Sequence, residues 1–252
     1  MKFGFTTTTF RQIKDIEKIV LLAKEAEADC IEWGADVHIK DTEAAKKAKE
    51  LCDKHNIEIS SYASYYRAGS NNKEEWEKIC LIADTLGAKS IRIWLGRKDS
   101  EKTDEETYQK ILKDIKNMCA VADEYSLIVC PECHDNTYNN NTDAFLRIHK
   151  DAECENFRTY FQSRYKKLNY DLDRIERTVP HTETVHISFS ELRREQFPKY
   201  DPTYIDKLID KLKKMQFDGN VLLEYTYIWG RYGIPSCMIK DIKKLKEKFS
   251  DQ

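Results

Sequence analysis

A chain of 252 residues can build one large core, and a closed α/β barrel commonly uses about this length as a single domain. With 42 basic against 44 acidic residues, a net charge of -2, 40% hydrophobic and 34% charged side chains, the composition is globular and excludes a disordered chain or a general polyanion binder. No apolar run approaches the roughly 18 residues of a membrane span, and MKFGFTTTTF lacks the apolar stretch of a signal peptide, so no membrane or nucleic-acid partner and a cytoplasmic location are expected.

Short β-rich runs alternate with longer helical-period stretches along the chain, and no linker or low-complexity block interrupts them. Strands are predicted at Lys2 to Thr6, Cys30 to Gly34, Ile57 to Tyr62, Ser90 to Gly96, Leu127 to His134, Phe157 to Arg164, Thr184 to Ser188 and Asn220 to Thr226. Between them, apolar residues recur three and four apart, as in Ile13, Ile16, Ile19, Val20 and Ala23, or Trp76, Ile79, Cys80 and Ala83. Ile111, Ile115, Met118 and Ala122, then Ile205, Leu208, Ile209 and Leu212, then Ile239, Ile242 and Leu245 repeat the pattern, with lysine and glutamate opposite. The sixth unit, Tyr170 to Pro180, is the weakest, with only Leu172 and Ile175 as anchors. The count predicts a single-domain (β/α)8 barrel spanning residues 1–252, with a doubly wound open sheet as the alternative. The eight cysteines form no regular framework and are expected to be reduced and mostly buried.

Strand parity carries the functional signal, because alternate side chains face the helices and the barrel interior. One set, including Phe3, Phe5, Ile31, Trp33, Ile91, Ile93, Val129, Phe161, Val185, Ile187, Val221 and Leu223, is almost wholly apolar. The other contains Thr6, Glu32, Ser60, Tyr62, Arg92, Trp94, Glu132, His134, Gln162, Arg164, His186, Ser188, Glu224 and Thr226. Buried charges need partners or a metal, so this polar set points to a metal-bearing active-site mouth.

CIEWG at 30–34, VCPECHDNT at 129–137, VHIS at 185–188 and VLLEY at 221–225, in this order and spacing, resemble the xylose isomerase-like TIM barrel superfamily. That superfamily includes endonuclease IV, ketose epimerases, inosose dehydratase and 3-dehydroshikimate dehydratase. The resemblance implies one divalent metal held by Glu132, Gln162, His186 and Glu224, with Gln162 standing where an Asp is usual. This N/O donor set suits Mn2+, Mg2+, Co2+ or Zn2+, and the uncharged amide should weaken the affinity. The resemblance also makes Glu132 and Glu224 the acid/base pair of a sugar or sugar phosphate isomerase/epimerase working through an enediolate. A metal-dependent dehydratase of inosose or 3-dehydroshikimate type begins with the same proton abstraction, and a non-catalytic sugar- or metal-binding barrel is the third reading.

His134 is a candidate base or hydroxyl-orienting group, against a structural hydrogen-bonded role. Arg92, Arg164 and Arg231 are candidates for fixing a carboxylate or phosphate of a small sugar or polyol substrate, and Glu32, Tyr62 and Trp94 for lining its site. Trp33 has the helix-facing parity and is expected in the core, whereas His38 is near the mouth by position only. Cys130 and Cys133 form a lone C-x-x-C whose thiols would point to opposite faces of a strand, which disfavours a zinc-thiolate or redox role. A three-metal nuclease centre is rejected, because six histidines are too few and SSYASYY and IRIWLG supply none at strands three and four. The composition leaves homo-oligomerisation open.

Overall fold

The computed structural model describes residues 1–163, 168–188, 203–224 and 233–249. Eight parallel strands, β1 (Lys2–Thr6), β2 (Cys30–Gly34), β3 (Glu58–Ala68), β4 (Ser90–Leu95), β5 (Ile128–Pro131), β6 (Thr159–Gln162), β7 (Thr182–Ile187) and β8 (Asn220–Leu223), pair in the order β5-β4-β3-β2-β1-β8-β7-β6. Among the described residues, the two outer strands of that order, β5 and β6, pair along their backbones only through the isolated bridges Val129 to Phe157 and Glu132 to Tyr160. Pro131 explains part of this thin seam, since it brings no N–H to the ladder; the Thr159 hydroxyl donates to its carbonyl at 3.1 Å instead. The result is a nearly closed (β/α)8 barrel, and the open-sheet alternative is set aside.

The helices of the described residues are α1 (Ile16–Glu25), α2 (Thr42–His55), α3 (Lys73–Leu86), α4 (Glu105–Asp123), α5 (Thr142–Ala152), α6 (Leu168–Thr178), α7 (Tyr204–Lys214) and α8 (Pro235–Phe249). Five start where a short polar side chain satisfies a free backbone N–H: Asp15, Asp41, Asn72, Asp104 and Asn141 accept from Glu17, Ala44, Glu75, Thr107 and Ala144. Their apolar stripes meet the outward-facing strand residues in one continuous core that contains Phe3, Phe5, Ile31, Trp33, Ile91, Val129, Phe161, Val185 and Val221. Trp33 is therefore a core residue. The sixth helix gave a faint hydrophobic signal because its inner face buries a charged pair, Asp171 and Arg174, 3.7 Å apart, and Asp171 accepts the Tyr204 hydroxyl from α7.

Two expectations about the strands need correction. A bulge between the β2 and β3 registers pairs Ile31 with Ile59 but Glu32 with Ser61. Parity flips there, so Ser61 faces inward and Tyr62 turns to the helix layer, where it pairs with Ile91 and its hydroxyl donates to Ile39 O at 2.9 Å. Strand β3 then continues past Tyr62 to Ala68. All eight cysteines are free thiols, six of them buried and Cys154 and Cys237 partly exposed. No helix of the described residues is long and apolar enough to cross a membrane.

Candidate metal centre

The inward side chains of β2, β4, β5, β6, β7 and β8 converge near the C-terminal ends of the strands, where a parallel barrel presents its site. Glu132 follows β5, His186 lies in β7 and Glu224 follows β8, and each offers a ligand atom within 4.8 Å of the others. The His186 Nδ1 faces Glu132 Oε1 at 3.6 Å and Glu224 Oε2 at 3.5 Å without hydrogen-bond geometry to either. On the other side of the ring, Nε2 faces Glu32 Oε2 at 3.4 Å. A carboxylate behind a histidine favours the tautomer with the proton on Nε2, leaving the Nδ1 lone pair aimed between the two front carboxylates. That buried nitrogen, bracketed by two oxyanions and unpartnered, fits a divalent cation with an N/O preference.

Charge makes the same point. Three carboxylates, Glu32, Glu132 and Glu224, surround one guanidinium: Arg92 Nη1 lies 3.4, 3.4 and 3.9 Å from them. Burial alone would raise the Glu132 carboxyl, but the Arg92 charge, the His186 ring and the Trp94 N–H hold it down at about 2. Glu32, fully buried, is also held well below the usual carboxylate range, because Arg92 and His186 outweigh its desolvation. Burial works against a charged His186, yet Glu32 and Glu224 push its affinity for a proton well up. A cation bound at Nδ1 would supply the positive charge that the ring otherwise takes from a proton.

Gln162 at the end of β6 donates its amide N–H to Glu224 Oε2 at 2.9 Å, which orients that carboxylate and leaves the amide oxygen as the remaining donor atom. Trp94 donates to Glu132 Oε2 at 2.7 Å, and its half-exposed ring stacks on His134 at 5.5 Å and 22°. His134 is exposed at the rim; its Nδ1 meets the Asp135 carbonyl at 2.7 Å, so Nδ1 carries the proton and Nε2 is the free acceptor of the neutral ring.

The sequence-predicted residues thus divide. Glu132, His186, Glu224, Gln162, Arg92 and Trp94 come together, with His134 at the rim. Glu32 belongs to the same cluster, but behind His186 and without solvent access, so it does not line a substrate surface as expected. Arg92 is equally enclosed, its charge absorbed by carboxylates, which withdraws it from the role of fixing a substrate anion. Tyr62 lies in the helix layer. His38 is buried away from the cluster, between Thr7 Oγ1 and the Ile13 carbonyl. Arg164, Arg231 and Thr226 lie outside the described residues. Sequence reasoning missed Tyr160, whose buried ring meets His186 edge-on at 5.1 Å, although its parity matches that of Gln162. It also missed Ser61, which donates to Glu32 at 3.0 Å, and Tyr65, whose ring meets Trp94 at 5.7 Å; both lie beyond the bulge.

Comparison with known proteins agrees with this architecture. A 3-dehydroshikimate dehydratase of Bacillus anthracis is 21% identical over 168 residues, an alignment that covers 63% of this chain and 60% of that enzyme. Among solved structures, the probable 3-DHS dehydratase AsbF involved in petrobactin synthesis, from Bacillus anthracis, superposes with a TM-score of 0.78 at 17% identity over 98% of this chain and 99% of that one. D-psicose 3-epimerase with D-tagatose from Clostridium cellulolyticum H10 gives 0.74 at 14% over 99% and 98%, and the E. coli 3-keto-D-glucoside 4-epimerase YcjR gives 0.72 at 14% over 98% and 99%. These neighbours are enzymes, and their likeness is one of fold. The model of the xylose isomerase-like TIM barrel matches residues 20–247, nearly the whole described barrel, and the chain belongs to that family.

Proposed function

We propose that the protein is a divalent-metal-dependent sugar or sugar phosphate isomerase/epimerase that moves a proton through an enediolate. The observation that carries this reading is the pair Glu132 and Glu224 facing each other across the unpartnered Nδ1 of His186. Glu132, His186 and Glu224 would hold the cation, with the amide oxygen of Gln162 as a fourth donor. A bound divalent cation polarises adjacent carbonyl and hydroxyl oxygens and acidifies the C–H beside them.

The protein's own groups then divide the work. Glu224 is the better placed to take the proton, because its side chain keeps 13% exposure while that of Glu132 keeps 3% and is pinned by Arg92 and Trp94. Gln162 orients Glu224, and Glu32 sets the ring of His186. The Trp94 and His134 rings offer a flat wall for a sugar, and His134 Nε2 can accept a hydroxyl proton.

A second reading, a dehydratase, is favoured by the sequence similarity to a 3-dehydroshikimate dehydratase. It uses the same base, after which a hydroxyl departs from the neighbouring carbon. Purified protein loaded with Mn2+ should exchange a ketose C–H for deuterium in D2O, and Glu224→Gln should abolish that exchange. Interconversion of ketoses without loss of water supports the epimerase; loss of water from dehydroshikimate or a cyclic polyol supports the dehydratase. Neither reaction with any of Mn2+, Mg2+, Co2+ or Zn2+ leaves a binding barrel.

A further inference from the structure

A pocket of about 240 Å³ opens between the ends of β3 and β4 and the start of α4. Arg67, Arg97, Lys98, Lys110 and Thr107 line it, and no carboxylate does. Several basic side chains at or near the other clefts carry their own counter-ions: Lys2 and Lys89 share Glu58, Lys246 pairs with Asp29, Arg147 with Glu105 and Arg177 with Asp143. Here Lys110 alone is matched, by Glu106 at 2.7 Å; Arg67, Arg97 and Lys98 make no ion pair among the described residues. Arg67 is fixed in place, its guanidinium 4.1 Å over the Trp94 ring and its Nη1 donating to Gly96 O at 2.7 Å. Burial and the nearby charge of Arg97 both weaken its hold on its proton, the sign of like charges gathered without an anion between them.

We propose that this pocket binds a phosphoryl group, either free phosphate or the phosphate of an ester. Fixed guanidinium N–H groups, mobile ammonium groups and a threonine hydroxyl match a tetrahedral dianion, which accepts several charge-assisted hydrogen bonds at once. The volume lies below the roughly 300–1,000 Å³ of a pocket for a whole drug-sized ligand, which suits a headgroup or ion. Trp94 connects the pocket to the metal centre, with Arg67 over its ring and its N–H on Glu132. An ester held here would therefore place its sugar beside the Trp94 wall, and that extension alone rests on the proposed sugar chemistry.

Isothermal titration of the full chain with inorganic phosphate tests the pocket independently of any turnover. Saturable binding is expected, weakened about tenfold or more in the Arg67→Gln, Arg97→Gln double variant. The single Arg97→Gln variant, exposed and checked for fold by circular dichroism, should weaken it in the same direction. Glu132→Gln should leave inorganic phosphate binding unchanged. No saturable binding, or equal affinity in the double variant, overturns the proposal. Fructose 6-phosphate separates the two sources: tighter binding than phosphate, with only the excess lost in Glu132→Gln, marks a substrate phosphate, whereas equal affinities mark a free-phosphate site.

Discussion

His186 turns its two ring nitrogens to different partners, and Glu32 at its back decides which one is free to bind. Replacing Glu32 by Gln keeps the shape but removes the charge that orients the ring, so Mn2+ affinity should fall about 10- to 100-fold by isothermal titration. Gln162→Asp puts a carboxylate where an N–H now reaches Glu224. The variant should melt lower than the parent without a cation, through like-charge repulsion, and gain more from added Mn2+, both read by calorimetry. An equal Mn2+ gain in the two proteins would remove Gln162 from the ligand set. Arg92 and His186 were legible from strand parity because each sits on a regularly paired stretch, and Glu132 and Glu224 because each directly follows one. Tyr62 was misread and Ser61 missed because parity has no memory across a bulge, and no sequence signal marks the extra residue between Ile59 and Ser61.

At the scale of elements, close approach between strands makes the strictest demand. The Cβ of an alanine at Gly4 in β1 would lie 2.0 Å from the Cys30 carbonyl oxygen of β2, so Gly4→Ala should cost about 3 kcal/mol in urea unfolding. The other test concerns α5 and the short turn Val179–His181 before β7, where the rings of His149 and His181 lie 4.1 Å apart. Burial and the Arg158 charge lower both histidines from the ordinary 6.5, and for His149 the neighbouring His181 adds to this. At these two sites the unfolded chain therefore takes up protons first, so the stability they contribute is full above about pH 6.5 and falls as pH drops toward 5. The melting temperature should follow, and His181→Gln should flatten the slope. The apolar stripes of α1, α3, α4, α7 and α8 were legible from sequence. The sixth helix was legible only faintly, because Asp171 and Arg174 look like solvent-facing residues until Tyr204 of α7 is packed against them.

For the whole molecule, eight strand segments at regular spacing were enough to read the barrel, since each unit repeats one local pattern. What could not be read was how evenly the ring is joined, because that depends on pairing between β5 and β6 rather than on either strand alone. If the centre holds a cation as proposed, saturation at a hundred times its Kd should stabilise the native barrel by about 2.7 kcal/mol, seen as a rise in melting temperature with Mn2+ and its absence in Glu224→Ala. An unchanged melting temperature across millimolar Mn2+, Mg2+, Co2+ and Zn2+ would count against the site.

The thin seam gives the metal a mechanical meaning as well. Glu132 stands on the β5 side of the gap, while His186 and Glu224 belong to β7 and the end of β8 on the far side. One ion held by all three would bridge the gap like a rivet through the two ends of a bent strip. The amides of Val129 and Arg158, bonded across the seam to Asn156 O and Val129 O, should then trade hydrogen for deuterium faster than those in the middle of β1, and slow on addition of Mn2+ while β1 is unaffected. The barrel would open from this side first, and closing it would be the same event as assembling the chemistry.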